Sequence, residues 1–338
     1  MNDRVQLLGS IAATVADYRA GELASPTPEH VDRWVCQFSD DVQVPLLREL
    51  AHVLKKTYFA RDRVIRFLGK LVTNDDLAGA NPPDFWRRAN FLDIQRNGDS
   101  QRSMLEIFAE SLSAKYEIDL DDCGVLGGDF VYLDDGMFGG NRVGNDLESW
   151  IKDDAPGRAI VHVIVIALHT GGQWLANGRL KKVIAASGKA IDIKYWRAVT
   201  VENRKTYKRD AQVLWPSELP DDTLLEAYVA KPHKFPFEPR PQGGNPGLFS
   251  SEAGRQILER ELLLAGVEIL ASCANPKDTM RPLGFSPFGL GFGSTIVTFR
   301  NCPNNCPLAL WWGDPNAKAS NPLSNWYPLF SRKTYNRE

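Results

Sequence analysis

Phe130-Val131-Tyr132-Leu133-Asp134-Asp135-Gly136-Met137-Phe138-Gly139-Gly140-Asn141 runs from four apolar residues into two adjacent carboxylates. A glycine-containing loop follows, and then a helical pattern from Arg142 to about Lys152. The spacing predicts a buried strand that ends at the two acids, with a loop opening a helix beyond it. Such a unit suits a sugar phosphate. The helix N-terminus turns unpaired N–H groups and the positive end of its dipole toward a phosphate. Adjacent aspartates can accept hydrogen bonds from vicinal ribose hydroxyls or hold a hydrated Mg²⁺. Two solvated aspartates at an ordinary strand end would leave the same pattern.

Strand and helix signals alternate on both sides of this stretch. Residues 91–95 read as a short strand, and 97–101 turn into a helix with Met104, Leu105, Ile107, Phe108 and Leu112 inward. Residues 159–168 are apolar on both faces except for His162, as in a central parallel strand covered by helices. A helix over about 173–186 leads to a strand over 190–199. The alternation predicts an α/β fold with an open, mostly parallel sheet.

The opening of the chain is different. Val5, Leu8, Ile11, Val15 and Tyr18 recur at helical spacing, and Thr27-Pro28 supplies an N-cap and a first-turn proline. Pro45 is expected in the first turn of a third helix, and Asn81-Pro82-Pro83 reads as a break. Residues 1–85 are therefore expected to form an N-terminal helical region, with the α/β domain over 86–338. Residues 200–250 are charged and rich in Pro and Gly, which predicts a long irregular insertion able to move as a loop. A helix over 251–270 and a strand over 294–299 follow.

Across its 338 residues the chain is 43% hydrophobic and 24% charged, as in soluble globular proteins. A net charge of -2 provides no general attraction to nucleic acid or an anionic membrane. No apolar run is long enough to span a bilayer, and the N-terminus lacks a signal-peptide pattern, so no membrane role is expected. The five cysteines, an odd number, fit reduced thiols and a cytoplasmic location.

In open α/β sheets, ligands bind beyond the carboxyl ends of the strands. Three loops are expected there. Gly98, Asp99, Ser100 and Gln101 would let backbone N–H groups approach a pyrophosphate. Gly136, Gly139, Gly140, Asn141 and Arg142 would receive a 5′-phosphate. His169, Thr170 and Gly171 follow the central strand directly. Asp134 and Asp135 are the candidate catalytic and metal-binding pair.

The acid-loop-helix order resembles the PRPP-binding signature of type I phosphoribosyltransferases. The chain also resembles the phosphoribosyltransferase-like domain family of bacterial conflict and anti-phage defence systems. That likeness rests on His30-Val31-Asp32-Arg33-Trp34, Gly98-Asp99-Ser100 and Leu133-Asp134-Asp135. It rests further on the ending Val297-Thr298-Phe299-Arg300-Asn301-Cys302-Pro303-Asn304-Asn305, with Leu310-Trp311 and Trp326-Tyr327-Pro328-Leu329-Phe330. The resemblance implies a sheet of type I phosphoribosyltransferase-like topology, a pocket for PRPP or a nucleotide-like molecule, and Mg²⁺ as cofactor. It also implies protein partners from a defence operon, such as a reverse transcriptase, ATPase or nuclease, through which nucleic acid would be met.

The chain departs from the transferase signature where Thr or Ser hydroxyls would follow the acids. Phe138, Gly139, Asn141 and Arg142 stand there instead, and each missing hydroxyl removes a hydrogen bond worth about 0.5–1.5 kcal/mol. Two roles are expected: a phosphoribosyl-transferring or nucleotide-processing effector, or a catalytically degenerate sensor or assembly subunit.

Overall fold

The computed structural model describes residues 3–95, 99–125, 127–232, 234–318 and 320–332. The chain opens with α1 (Asp3–Thr14), α2 (Pro28–Val35), α3 (Asp40–Thr57) and β1 (Tyr58–Phe59). Next come α4 (Arg61–Val72), α5 (Asp75–Ala78), α6 (Pro82–Arg88), β2 (Asn90–Phe91), α7 (Ser100–Tyr116) and β3 (Phe130–Met137). Then follow α8 (Asn141–Asp153), β4 (Arg158–His169), α9 (Thr170–Ser187) and β5 (Ala190–Val201). The chain continues with α10 (Thr223–Val229), α11 (Glu252–Ala271), β6 (Val297–Thr298) and α12 (Leu308–Trp311). These elements fall into two compact units, Met1–Ala60 together with Glu202–Glu338, and Arg61–Val201. The opening helical block is thus shared, with α1 to α3 in the first unit and α4 to α6 in the second. No helix among the described residues is long and apolar enough to cross a membrane.

The Arg61–Val201 unit carries the parallel sheet, in the order β2-β3-β4-β5. Its α/β class is the one the alternation implied. Phe130 meets Trp150 of α8 with ring centroids 4.8 Å apart, and the Tyr132 hydroxyl donates to Asp146 of α8 at 2.9 Å. Phe91 is in register with Val131 and so points to the opposite face, where its ring meets Phe108 of α7 at 5.6 Å. Helices therefore cover both faces, which is why most residues of β3 and β4 are apolar. His162, the one polar residue between Arg158 and His169 at the two ends of β4, is a structural group. Its Nδ1 accepts from Trp196 Nε1 at 2.9 Å, so Nε2 carries the proton and donates to Asp129 at 2.9 Å.

Three local expectations need correction. β3 does not end at the acids: Gly136 pairs with Ala167 and Met137 with Leu168, so pairing runs two residues further. The chain leaves the sheet only near Gly140, whose φ of 75° starts the turn. Asn81-Pro82-Pro83 begins a helix rather than marking a break, because the Asn81 side chain caps α6 at the Asp84 N–H (3.4 Å) and Pro82 takes the first turn. Pro45 lies in the second turn of α3, which starts at Asp40.

In the other unit, α1, α2, α3 and α11 share a core with Trp34, Leu50, Leu262 and Phe330. The 202–250 segment belongs to this unit and is sewn to α11 by buried charges. Glu259 Oε1 accepts from the Trp215 N–H (2.9 Å) and from Arg255 Nε (2.7 Å), and its Oε2 accepts from Arg240 Nη2 (3.0 Å). Arg240 also pairs with Glu252 at 2.8 Å, and Arg255 donates to Val213 O at 2.9 Å. Both guanidiniums and Glu259 are almost fully buried. Removing one member of such a set strands the others away from water. Glu259→Leu is expected to cost about 3–5 kcal/mol, measured as a lower urea midpoint by circular dichroism.

Candidate functional site

Asp134 sits inside the paired part of β3, opposite Val165, and is fully buried. Apolar neighbours on both faces place it there. Its Oδ1 accepts the Asp135 N–H at 2.8 Å, while Oδ2 is buried with no hydrogen-bond partner. Burial, helped by the charge on Asp135, pushes its pKa up to about 7; a Ser100 hydrogen bond and the Arg142 charge pull against that rise. Asp135 is half-buried.

The structure brings the first two predicted loops to this carboxyl, and the third packs against the second. Ser100 opens α7 and Arg142 stands in the first turn of α8. Arg142 Nη1 reaches Ser100 Oγ at 3.4 Å, so both helix starts meet near Asp134. The second and third loops touch through glycine. A Cβ on Gly140 would overlap the Gly172 carbonyl, and one on Gly172 would overlap the Phe138 carbonyl. Phe138 folds back over Gly136, where a Cβ would come within 2.7 Å of its ring, and its ring lies 4.8 Å from that of His169. Gly139 has open space where a side chain would project.

Other predicted residues have scaffolding positions. Gln101 is buried, with its Oε1 accepting the N–H groups of Ile94 (2.8 Å) and Gln95 (2.9 Å) and its Nε2 unpartnered. Asp99 is the N-cap residue of α7 without a side-chain cap bond. Gly98 lies outside the described residues. His169 is buried, contacts Met137 O through Nδ1 at 3.2 Å, and is driven down to a pKa of about 3 by burial. It is therefore neutral and offers no positive charge to a phosphate. Thr170 and Gly171 form the first turn of α9, and Asn141 that of α8.

Sequence reading missed Gln95, assigned there to a strand. Its Oε1 accepts the Gln101 N–H and its Nε2 donates to Ser100 Oγ, both at 3.0 Å, so it acts as the cap of α7. The missing signal is a side chain reaching forward six residues, whereas helix-capping patterns are read from the N-cap residue itself. Tyr132 and Asp146 were also missed; alternation shows that Tyr132 shares the face of Asp134, but not that it bonds α8.

Mg²⁺ needs near-octahedral oxygen coordination and often completes it with water and ligand phosphates. Among the described residues no group of three or more His, Cys, Asp or Glu side chains converges to hold a metal. A resident metal does not fit this donor set. A cation arriving on a ligand's phosphates needs only the unpartnered Asp134 oxygen or the half-buried Asp135.

Asp134 sets a pH dependence of known sign. The unfolded chain ionises this group near pH 4, whereas the folded protein keeps the proton until about pH 7. Stability attributable to it therefore falls as pH rises from about 4 to 7, then levels off. Asp134→Asn is expected to stabilise the protein at pH 8 by on the order of 4 kcal/mol and to flatten that slope, read from thermal unfolding at several pH values.

The family model described as PRTase-CE matches residues 31–332. No curated protein and no solved structure matches the chain.

Proposed function

Because the chain belongs to the PRTase-CE family, phosphoribosyltransferase-like and associated with conflict systems, we propose that the carboxyl edge of β3 and β4 binds a ribose-phosphate ligand, PRPP or a nucleotide. The observation that carries this reading is the meeting of the α7 and α8 starts, through Ser100 and Arg142, at a buried carboxyl with an unpartnered oxygen. A ribose hydroxyl donating to Asp134 Oδ2 would satisfy that oxygen. The first N–H groups of α8 and the Arg142 guanidinium would take the phosphate. Mg²⁺ carried in by the ligand would neutralise its phosphate charge. Within a defence system this makes the protein an antiviral sensor or assembly subunit that works through neighbouring gene products.

Transfer of the phosphoribosyl group is the second reading, supported by the intact Asp134-Asp135 pair. Ionised Asp134 would then stabilise positive charge growing at the anomeric carbon. The loop without Ser or Thr, the ring of Phe138 over Gly136 and the neutral His169 favour binding over turnover.

Calorimetric titration with PRPP and Mg²⁺, followed by a pyrophosphate assay, tests both. Wild type is expected to bind, with affinity rising from pH 6 to pH 8 as Asp134 ionises. Asp134→Asn is expected to lose at least about 10-fold in affinity together with that pH dependence, since a hydrogen bond to a charged group is worth about 1.5–3 kcal/mol. Its greater stability separates lost binding from lost folding. Unchanged affinity in this variant would end the reading, and pyrophosphate release by wild type would favour the transferase.

A further inference from the structure

β5 is the last strand of its sheet, pairs among the described residues only with β4 and runs for twelve residues, Ala190–Val201. The Ala190 N–H reaches Gly157 O at 2.8 Å, so the backbone groups of Ala190, Asp192 and Lys194 face β4. Those of Ile191, Ile193 and Tyr195 face outward by alternation. The Tyr195 carbonyl accepts there from a side chain of its own strand, Arg197 Nη1 at 3.1 Å. Long exposed edges invite another strand, and proteins usually blunt them with shortness, proline or cover. β5 has neither proline nor glycine, and Asp192 and Lys194 are both exposed.

We propose that this edge pairs with the same edge of a second copy of the chain, β5 against β5, antiparallel about a two-fold axis through Ile193. In that register Ile193 lies opposite its own mate and Ile191 opposite Tyr195, all with outward backbone groups able to hydrogen-bond. Asp192 then lies opposite Lys194 of the mate, and Lys194 opposite Asp192. These are non-hydrogen-bonded positions, where Cα atoms approach to about 4.5 Å and side chains meet most closely. Shifting the axis by one residue keeps outward backbone groups opposite each other but sets Asp192 or Lys194 against its own like-charged mate. Shifting it by two leaves Asp192 and Lys194 opposite uncharged residues. Cross-strand charge therefore selects one register.

The helix layer points the same way. α9 packs on β4 and β5, about one strand spacing from the axis, so the two copies of α9 would lie ~10 Å apart, a normal helix-packing distance. Asn177 accepts from the Tyr195 hydroxyl at 2.6 Å and so marks the β5 flank of α9, whereas Arg179 pairs with Glu148 of α8 on the other flank. Trp174, one turn before Asn177, shares the β5 flank and is 68% exposed. An indole exposed on the flank that the mate would cover is an independent sign of an interface.

Sedimentation velocity on the full chain tests this without any ligand. Wild type is expected to be a dimer at micromolar concentration. Asp192→Lys or Lys194→Asp alone each replaces two attractive cross-strand pairs with two repulsive ones, weakening the dimer by about 10-fold or more. The double reversal is expected to restore it, and Trp174→Ala to weaken it. Both charged side chains are exposed, so circular dichroism should be unchanged. A monomeric wild type would overturn the proposal. So would a dimer indifferent to the single reversals, or a double reversal no stronger than either one.

Discussion

A carboxyl buried within the paired, apolar part of a β-strand imposes a condition on everything around it. Taking an ionised acid out of water costs several kcal/mol, more than a single neutral hydrogen bond returns. β3 places Asp134 in that position, and its surroundings meet the condition incompletely. The Asp135 N–H, Ser100 and the Arg142 charge act on it, yet one oxygen has no partner and the pKa still rises to about 7. The starts of α7 and α8 thus meet at a group held away from its most stable ionisation. Such a balance is stable enough to persist and uneven enough for a ligand to shift it.

The glycines make that convergence possible. Gly140 and Gly172 let two loops pack backbone against backbone, where any side chain would collide with a carbonyl. This close approach holds α8 and α9 together at the carboxyl edge of the sheet. Gly136 serves differently, by leaving room for the Phe138 ring. Three nearby glycines therefore have separate steric reasons, none of which requires a phosphate.

Much of this unit was legible in the sequence because hydrophobic periodicity reports burial. The strands near 130, 160 and 190 and the helices between them follow from unbroken or alternating apolar residues, and the resemblance pointed to the same acid-bearing strand. What the sequence concealed depends on contacts distant along the chain. β3 continues past Asp135 because Gly136 and Met137 pair with β4, a fact written in β4 as much as in β3. Gln95 leaves β2 to cap α7, so a strand expected over 91–95 shrinks to Asn90–Phe91. Residues 200–250 looked like a free loop because Pro, Gly and charge dominate their composition. The guanidinium of Arg240 instead finds Glu259 on α11, and a charge normally read as solvated becomes a core contact. His169 was ambiguous for a related reason: strand position suggested a ligand, whereas full burial makes it neutral.

The same electrostatics distinguish what the proposed pocket would recognise from what it would transform. A phosphate at the start of α8 gains from the helix dipole about 0.3–1 kcal/mol, together with N–H hydrogen bonds that any phosphate could use. Discrimination has to come from elsewhere. A buried acceptor left unpaired rejects a ligand without a matching donor far more strongly than an open charge does, because the mismatch leaves the desolvation cost standing. Asp134 Oδ2 is such an acceptor, so under the proposed reading selectivity lies in the ribose hydroxyls more than in the phosphate. Under that reading, a site that reads the sugar through one buried carboxyl, and the phosphate through helix ends and Arg142, would be arranged for recognition first. Turnover would require further charge stabilisation at the reacting centre, and the neutral, aromatic wall formed by Phe138 and His169 does not supply it.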